Sequence, residues 1–173
     1  MITMSKRDLK KYLASLPKEE LEEQLLSLYE KFGEVKTYYD FIFNPKEDKL
    51  EQEAKVKIAN EYFPIKGKRP KLRRSTAQKY IKHFLTIGVD PYVVADVMLY
   101  NIEIAQTYSE RKEFSSSTFY KSILNSYKQV VEYVSANGMI SDFKERIAKI
   151  NDEVNRQYWE NRKEFERIWD NFE

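Results

Sequence analysis

The chain has 173 residues, with 30 Lys and Arg against 28 Asp and Glu, so its formal net charge is only +2. It has no cysteine and one histidine, His83, which excludes disulfides, thiol catalysis and zinc sites built from several histidines. No window approaches the roughly 18 consecutive apolar residues of a membrane-spanning helix. The charged N-terminus has no apolar signal segment, and we therefore expect a cytoplasmic protein that makes no contact with a membrane.

The first part of the chain carries capping signals and apolar stripes that are typical of helices. These signals predict helices over residues 5–15, 17–43 and 45–63. The first begins at a capping box made by Ser5 and Asp8. The second carries a heptad stripe of apolar residues, which we expect to continue through Gly33 without a break.

The second part of the chain predicts four more helices, over residues 75–88, 92–108, 118–136 and 141–172. Ser75 and Gln78 form a capping-box pattern for the first of them, and Gly88 ends it. The helix over 92–108 is apolar on nearly every side, so we expect it at the centre of the domain. In the last helix the apolar stripe slips by one position near Tyr158. At ~1.5 Å per residue this helix is roughly 45–50 Å long, and we expect it to protrude or to pair with a second copy.

Together these elements predict an all-α fold, a single-domain bundle of about six or seven mostly antiparallel helices. The domain covers residues 1–173, a length that supports one continuous core. Two loops interrupt it: an exposed basic connection at 64–75 and a Ser-rich loop at 109–117.

Positive charge is concentrated in the basic connection. Six of the nine residues from Lys66 to Arg74 are basic. From Tyr62 to Val89 there are eight Lys and Arg and no acid, whereas the rest of the chain has 22 Lys and Arg against 28 Asp and Glu and so sums to −6. A run of like charges interrupted by glycine and proline buries no apolar face, so it is expected to be exposed.

Two interpretations of the basic connection remain open. In the first, it binds the phosphates of RNA or DNA, or another anionic partner, with Arg73 and Arg74 ahead of a helix N-terminus that Ser75 caps. The candidate residues are Lys66, Lys68, Arg69, Lys71, Arg73, Arg74 and Ser75. Three aromatic residues nearby could stack on bases: Tyr62, Phe63 and Tyr80. In the second interpretation the loop is solvated, its arginines bind acids of the same chain, and the aromatic residues belong to the core.

Two carboxylates on the apolar helix form a second candidate group. Asp96 and Glu103 share a face, about 10 Å apart along the axis, which is too far for them to share one proton or one metal ion. With His83 they could form a buried polar cluster. The simpler interpretation is that Lys79, His83 or an arginine from a neighbouring helix pairs with Asp96 or Glu103, because buried carboxylates are rarely unpaired. The alternative is an enzyme that acts through these three residues.

The chain resembles a family of small bacterial all-helical proteins of unknown function in four segments: SKRDLKKYL, FNPKEDKL, KGKRPKLRRSTAQKYIKHF and ADVMLYNIEIAQTYS. The resemblance covers nearly the whole chain. It implies a bacterial cytoplasmic protein, and it implies no activity, substrate or catalytic residue.

The leading hypothesis is a non-enzymatic binding or adaptor protein that holds a nucleic-acid backbone through the basic connection, without sequence specificity. The alternative is a protein–protein interaction or self-association module, in which a homo-oligomer forms through the long C-terminal helix. We expect no cofactor, no catalytic residue and no metal site.

Overall fold

The structure, a computed structural model, describes residues 4–65, 67–111 and 116–171. Every regular element in these ranges is an α-helix, which confirms the all-α fold. The helices are α1 Lys6–Ala14, α2 Lys18–Lys31, α3 Gly33–Phe43, α4 Glu47–Tyr62, α5 Arg74–Ile87, α6 Pro91–Glu110, α7 Ser117–Ala136, α8 Ile140–Arg156 and α9 Arg162–Asp170. The predicted number of six or seven is too low, because two of the predicted helices are each divided into two.

Contacts group the chain into two units, residues 1–45 and 46–173, and each is described by itself. That the chain forms a single domain stays a prediction. Part of the predicted Ser-rich loop, residues 112–115, lies outside the described residues. The described part of that loop is shorter than predicted, since α6 continues to Glu110 and the hydroxyl of Ser116 caps α7 by accepting from the backbone of Phe119.

The first unit contains α1, α2 and α3. The capping box of Ser5 and Asp8 is present at the start of α1, as predicted. The predicted continuous helix over 17–43 is wrong, because the backbone of Phe32 is extended, with φ −120° and ψ 115°. The chain bends there, so that the hydroxyl of Tyr29 reaches the carboxylate of Asp40 at 3.1 Å. No side chain in these three helices is buried.

The second unit is built around α6, which packs against α4, α5, α7 and α8. Its buried residues include Val94, Leu99 and Ile102, none of them measurably exposed, and this confirms its predicted central position. Sequence signals also set its boundaries: Gly88 ends α5 in the left-handed conformation, and the side chain of Asp90 caps α6.

The predicted last helix is also divided. It stops at Arg156, Tyr158 takes a left-handed φ of 53°, and α9 begins only at Arg162. The turn places Trp159 in the core, against Phe119 at 5.9 Å between ring centroids. The slip in the apolar stripe therefore marks a turn, and α9 packs back on α7 and α8. Self-association through this region stays a prediction. The single long helix on which that prediction was based is divided at Arg156.

The turn at Tyr158 can be tested by a glycine. We expect Tyr158→Gly to leave the free energy of unfolding unchanged or to raise it by up to about 1 kcal/mol, because glycine takes a left-handed φ without strain. In the interior of a helix the same change lowers that free energy by about 1 kcal/mol. Urea denaturation followed by circular dichroism measures the effect, with Glu145→Gly inside α8 as the helical control. Equal losses in the two variants would contradict the turn.

Candidate anion-binding site

One buried acid, Glu61 in the last turn of α4, organises the basic connection. Its side chain and backbone are only 7% exposed. Its backbone carbonyl accepts from the N–H groups of Lys71 and Leu72 at 3.0 and 3.1 Å. Its carboxylate accepts from the backbone N–H of Arg73 at 3.3 Å, from Nε and Nη2 of the same arginine at 3.0 and 2.8 Å, and from the hydroxyl of Thr76 at 3.0 Å.

These bonds change how α5 begins. The helix starts at Arg74, so Ser75 lies exposed in its first turn and the predicted capping box with Gln78 is wrong. The anion at this N-terminus is the carboxylate of Glu61, where the sequence suggested a phosphate. Helix N-terminal N–H groups favour a negative charge, and here the chain supplies it. The hydrogen bonds from Arg73 hold the pKa of Glu61 below its usual 4.5.

The turn before α5 is strained. Leu72 has a φ of 54°, a left-handed conformation that costs an ordinary L-residue roughly 1–2 kcal/mol. It is held there because Lys71 and Leu72 donate to the same carbonyl of Glu61. The connection therefore has a defined path in its last residues.

Arg74 also binds within the chain. Its Nε donates to the hydroxyl of Ser126 at 2.9 Å and its Nη2 to Gln129 at 3.0 Å, and Gln78 donates to the same Gln129 oxygen. Burial lowers the pKa of Arg74, because the two hydrogen-bond partners of its guanidinium are neutral and do not offset the desolvation. This arginine fastens the start of α5 to α7, where it is half-buried.

The remaining described cations of the connection line an open cleft of about 320 Å³. Lys68, Arg69 and Lys71 are exposed, and the side chain of Arg73 forms part of the same wall. Within the ranges that the structure describes, none of the first three makes an ion pair. Lys66 lies outside the described residues. The cleft thus brings together four of the seven candidate residues, while Arg74 and Ser75 lie in the first turn of α5.

The nearby aromatic residues are engaged in packing. Tyr62 is buried, and burial raises the pKa of its hydroxyl. The ring of Phe63 contacts Tyr108 at 5.8 Å and the guanidinium of Arg111 at 5.3 Å. Tyr80 packs edge-on against the phenylalanine one turn further along α5, at 6.3 Å. The predicted stacking platform for bases is therefore not supported by their placement.

A network of ion pairs joins α4, α6 and α8. Arg146 donates through Nε and Nη2 to Glu103 at 2.6 and 2.8 Å, and through Nη1 to Asp96. Lys55 contacts Asp96 and Glu51, each at 2.5 Å. Burial alone would raise the pKa of Asp96, but the hydrogen bonds from Lys55 and Arg146 outweigh burial and lower it. Asp96 and Glu103 therefore do meet, through a shared arginine.

His83 does not join this network through any contact found among the described residues. It is half-buried on α5, and its ring lies 6.3 Å from that of Phe84. The cluster of Asp96, Glu103 and His83 suggested by the sequence is thus two paired carboxylates and a separate histidine. That arrangement positions no free base beside a nucleophile.

Two residues that matter here were not identified from the sequence. Glu61 carries one signal that could have found it, since it is the last acid before the long window that contains none. Arg146 carries no such signal, because it is one of several cations in a helix rich in charge. Its pairing depends on how α8 lies against α6.

Two other clefts are poor candidates for an anion. The first, of about 340 Å³ between α6 and α8, is lined by as many acids as bases, and pairs such as Glu110 and Arg156 at 2.6 Å neutralise each other. The second, of about 300 Å³ in the first unit, has apolar and tyrosine walls that include Leu26 and Phe43. No described helix is long and apolar enough to cross a membrane, and the described residues contain no group of three or more His, Asp or Glu able to hold a metal ion.

Fold and site together define an all-helical protein with a basic cleft that a buried glutamate organises. The chain belongs to a family of unknown function, DUF6155, whose model matches residues 4–173. This confirms the resemblance to a family of unknown function, while bacterial origin stays a prediction. No curated protein and no solved structure matches the chain.

The Arg146 network should contribute to stability. We expect Arg146→Met to lower the free energy of unfolding by roughly 2–3 kcal/mol, because it leaves the partly buried Glu103 without its arginine and Asp96 with Lys55 alone. Arg156→Met is the control, since the side chain of Arg156 is 57% exposed against 29% for Arg146, and it should cause a much smaller loss. Thermal and urea denaturation of both variants measure the difference. Equal losses would contradict a special role for Arg146.

The pairing of Glu61 should make stability depend on pH. Because its pKa is lowered on folding, its ionised form stabilises the fold above about pH 4.5, and this contribution is lost as pH falls through the lower folded pKa. Glu61→Gln should therefore be less stable than the wild type by about 1–3 kcal/mol at pH 6, with a gap that narrows towards pH 3. Urea denaturation at pH 6, 4.5 and 3 measures the gap. A gap that stays constant with pH would exclude an ionised Glu61.

Proposed function

We propose that the protein binds the phosphate backbone of RNA or DNA in the cleft lined by Lys68, Arg69 and Lys71, as a non-enzymatic binding or adaptor protein. The observation that carries this proposal is the convergence of these three exposed cations on one cleft, with no acidic partner among the described residues. The finer expectations of a bacterial, cytoplasmic setting belong to the same proposal.

The electrostatics of the cleft favour an anion. Glu61, the one acid among the described residues of its wall, is already bound by the guanidinium of Arg73. Three cations with no acidic partner among the described residues therefore remain at the surface, within a stretch of sequence that has no acid from Tyr62 to Val89. Clustered Lys and Arg attract a phosphate backbone over about 10 Å at 0.1 M salt, and they release its condensed counterions on binding.

The surroundings of the cleft favour contact with the backbone over the reading of bases. Among the described residues, its walls contain Asn60, Pro64 and Ile65 but no aromatic ring, and the nearby described tyrosine and phenylalanine side chains are packed elsewhere. Base stacking, which contributes much of single-strand binding in many proteins, has no platform in the part of the cleft that the structure describes. We therefore propose binding without sequence specificity, to duplexes at least as well as to single strands.

An enzyme acting through Asp96, Glu103 and His83 has little support in this geometry. Both carboxylates are bound by Arg146, and His83 lies apart from them. A catalytic base must be within hydrogen-bonding reach of the proton that it takes, and these acids already accept from arginine and lysine.

Salt dependence tests the proposal. With four phosphate contacts, from Lys68, Arg69, Lys71 and Arg73, the affinity for a labelled duplex should fall roughly 150-fold between 50 and 200 mM salt. In a variant with Lys68, Arg69 and Lys71 all changed to Ala, the fall should shrink to about 3- to 4-fold. Fluorescence anisotropy with duplex DNA and single-stranded RNA measures both. Changing Arg73 and Arg74 together is a poorer test, because these arginines also hold the fold.

A control with the same change in net charge makes the result specific. Lys121, Lys149 and Lys163 are exposed on α7, α8 and α9, and none of them lines the cleft. Changing all three to Ala should leave the salt dependence close to that of the wild type. The proposal is wrong if the wild type does not bind at tens of micromolar in 50 mM salt, or if both triple variants lose affinity equally.

A further inference from the structure

We infer that Glu61 is a positioning residue of the basic cleft, which holds Arg73 and the turn at Leu72 in place so that the arginine can receive a phosphate. This inference rests on the proposed function and deepens it. It assigns to the one acid in the cleft a role that favours anion binding, although its charge alone would oppose it.

Glu61 is itself a fixed point. It lies in the last turn of α4 between buried neighbours, Ile58 and Tyr62, and its own side chain is buried. A group on a packed helix is held more precisely than one on a loop. Whatever Glu61 binds therefore takes its position from the core of the second unit.

Arg73 takes its orientation from Glu61. The carboxylate accepts from Nε and Nη2, so two parallel hydrogen bonds fix the plane of the guanidinium. Of the five N–H groups of an arginine, this leaves three that bond to no other described residue. The side chain is 54% exposed, so these groups remain accessible to a phosphate in the cleft.

The backbone of the connection is held by the same residue. The carbonyl of Glu61 accepts from Lys71 and Leu72, and this keeps Leu72 in its left-handed conformation. The strain is local to the turn that separates two cations of the cleft, Lys71 and Arg73. Backbone strain that the surrounding structure enforces is characteristic of sites where side chains are placed for binding.

Electrostatics and positioning predict opposite results when Glu61 is neutralised. If the cleft binds phosphate only through its net charge, removing a carboxylate makes it more positive and raises affinity. If Glu61 positions Arg73, the same change releases the guanidinium, and one phosphate contact is lost. The sign of the change therefore separates the two explanations.

The experiment measures duplex DNA binding by fluorescence anisotropy for the wild type and Glu61→Gln between 50 and 200 mM salt. Loss of one contact should weaken binding on the order of 15-fold at 50 mM and 4-fold at 200 mM, and should lower the slope of log K against log salt by about 0.9. Glu53→Gln, which removes an exposed charge from the same helix, is the matched control and should leave the slope unchanged. Circular dichroism verifies that each variant is folded.

A double-mutant cycle shows whether Glu61 acts through Arg73. In an Arg73→Gln background, Glu61→Gln should cause no further loss of affinity, because the contact is already absent. If Glu61→Gln does not fold, Arg73→Lys serves instead, since the side chain is exposed. It keeps the charge but loses the two-point bond to Glu61. A positioning role therefore predicts weaker binding, whereas an effect of net charge alone predicts unchanged affinity.

The outcomes distinguish this inference from the proposed function. A wild type that does not bind duplex DNA overturns both. A wild type that binds with a steep salt dependence, together with a Glu61→Gln variant that binds as tightly or more tightly with the same slope, overturns the positioning role alone. Additive losses in the cycle also overturn it.

Discussion

The requirement that a buried carboxylate be paired determines the most informative part of this structure. Glu61 is at the end of α4, nine-tenths buried, and such a group is strongly destabilising unless hydrogen-bond donors surround it. The donors come from the chain that follows, as one backbone N–H group, one guanidinium and one hydroxyl. Meeting this requirement fixes the path of the basic connection and the first residue of α5. The position of the cleft follows from it.

The same requirement operates on α6. Asp96 and Glu103 lie on a helix whose other faces are buried, and they are matched by Arg146 from α8, with Lys55 from α4 on Asp96. In both places an acid pairs with particular cations out of the larger number in the chain. Among the described residues, the cations that pair with no acid are the ones available to a partner. A count of charges along the sequence does not make this distinction, because it depends on which side chains meet in space.

Most local signals predicted the helix ends well, the capping box at Ser75 being the exception, and long patterns predicted them poorly. The caps at Ser5, Gly88 and Asp90 depend on residues close in sequence, and each is present. The heptad stripes across Phe32 and Tyr158 did not reveal that the chain turns there. An apolar residue every three or four positions is found both in one continuous helix and in two helices joined by a turn, because each arrangement can bury the same stripe. The cations of the cleft were likewise visible in the sequence, but Glu61, which selects among them, acts at a distance of ten or more residues from Lys71 and Arg73.

An acid in the wall of an anion site opposes binding only to the extent that its charge is felt there. Two hydrogen bonds from Arg73 largely neutralise Glu61, so its net field at the outer edge of the cleft is small. What remains is its effect on order. Arginine has many rotamers, and fixing one before the partner arrives removes the entropy cost of ordering that side chain on binding. Near a surface, solvent and salt screen the charge of Glu61 but leave its two hydrogen bonds to Arg73 in place. A glutamate can therefore strengthen a phosphate site that it makes less positive.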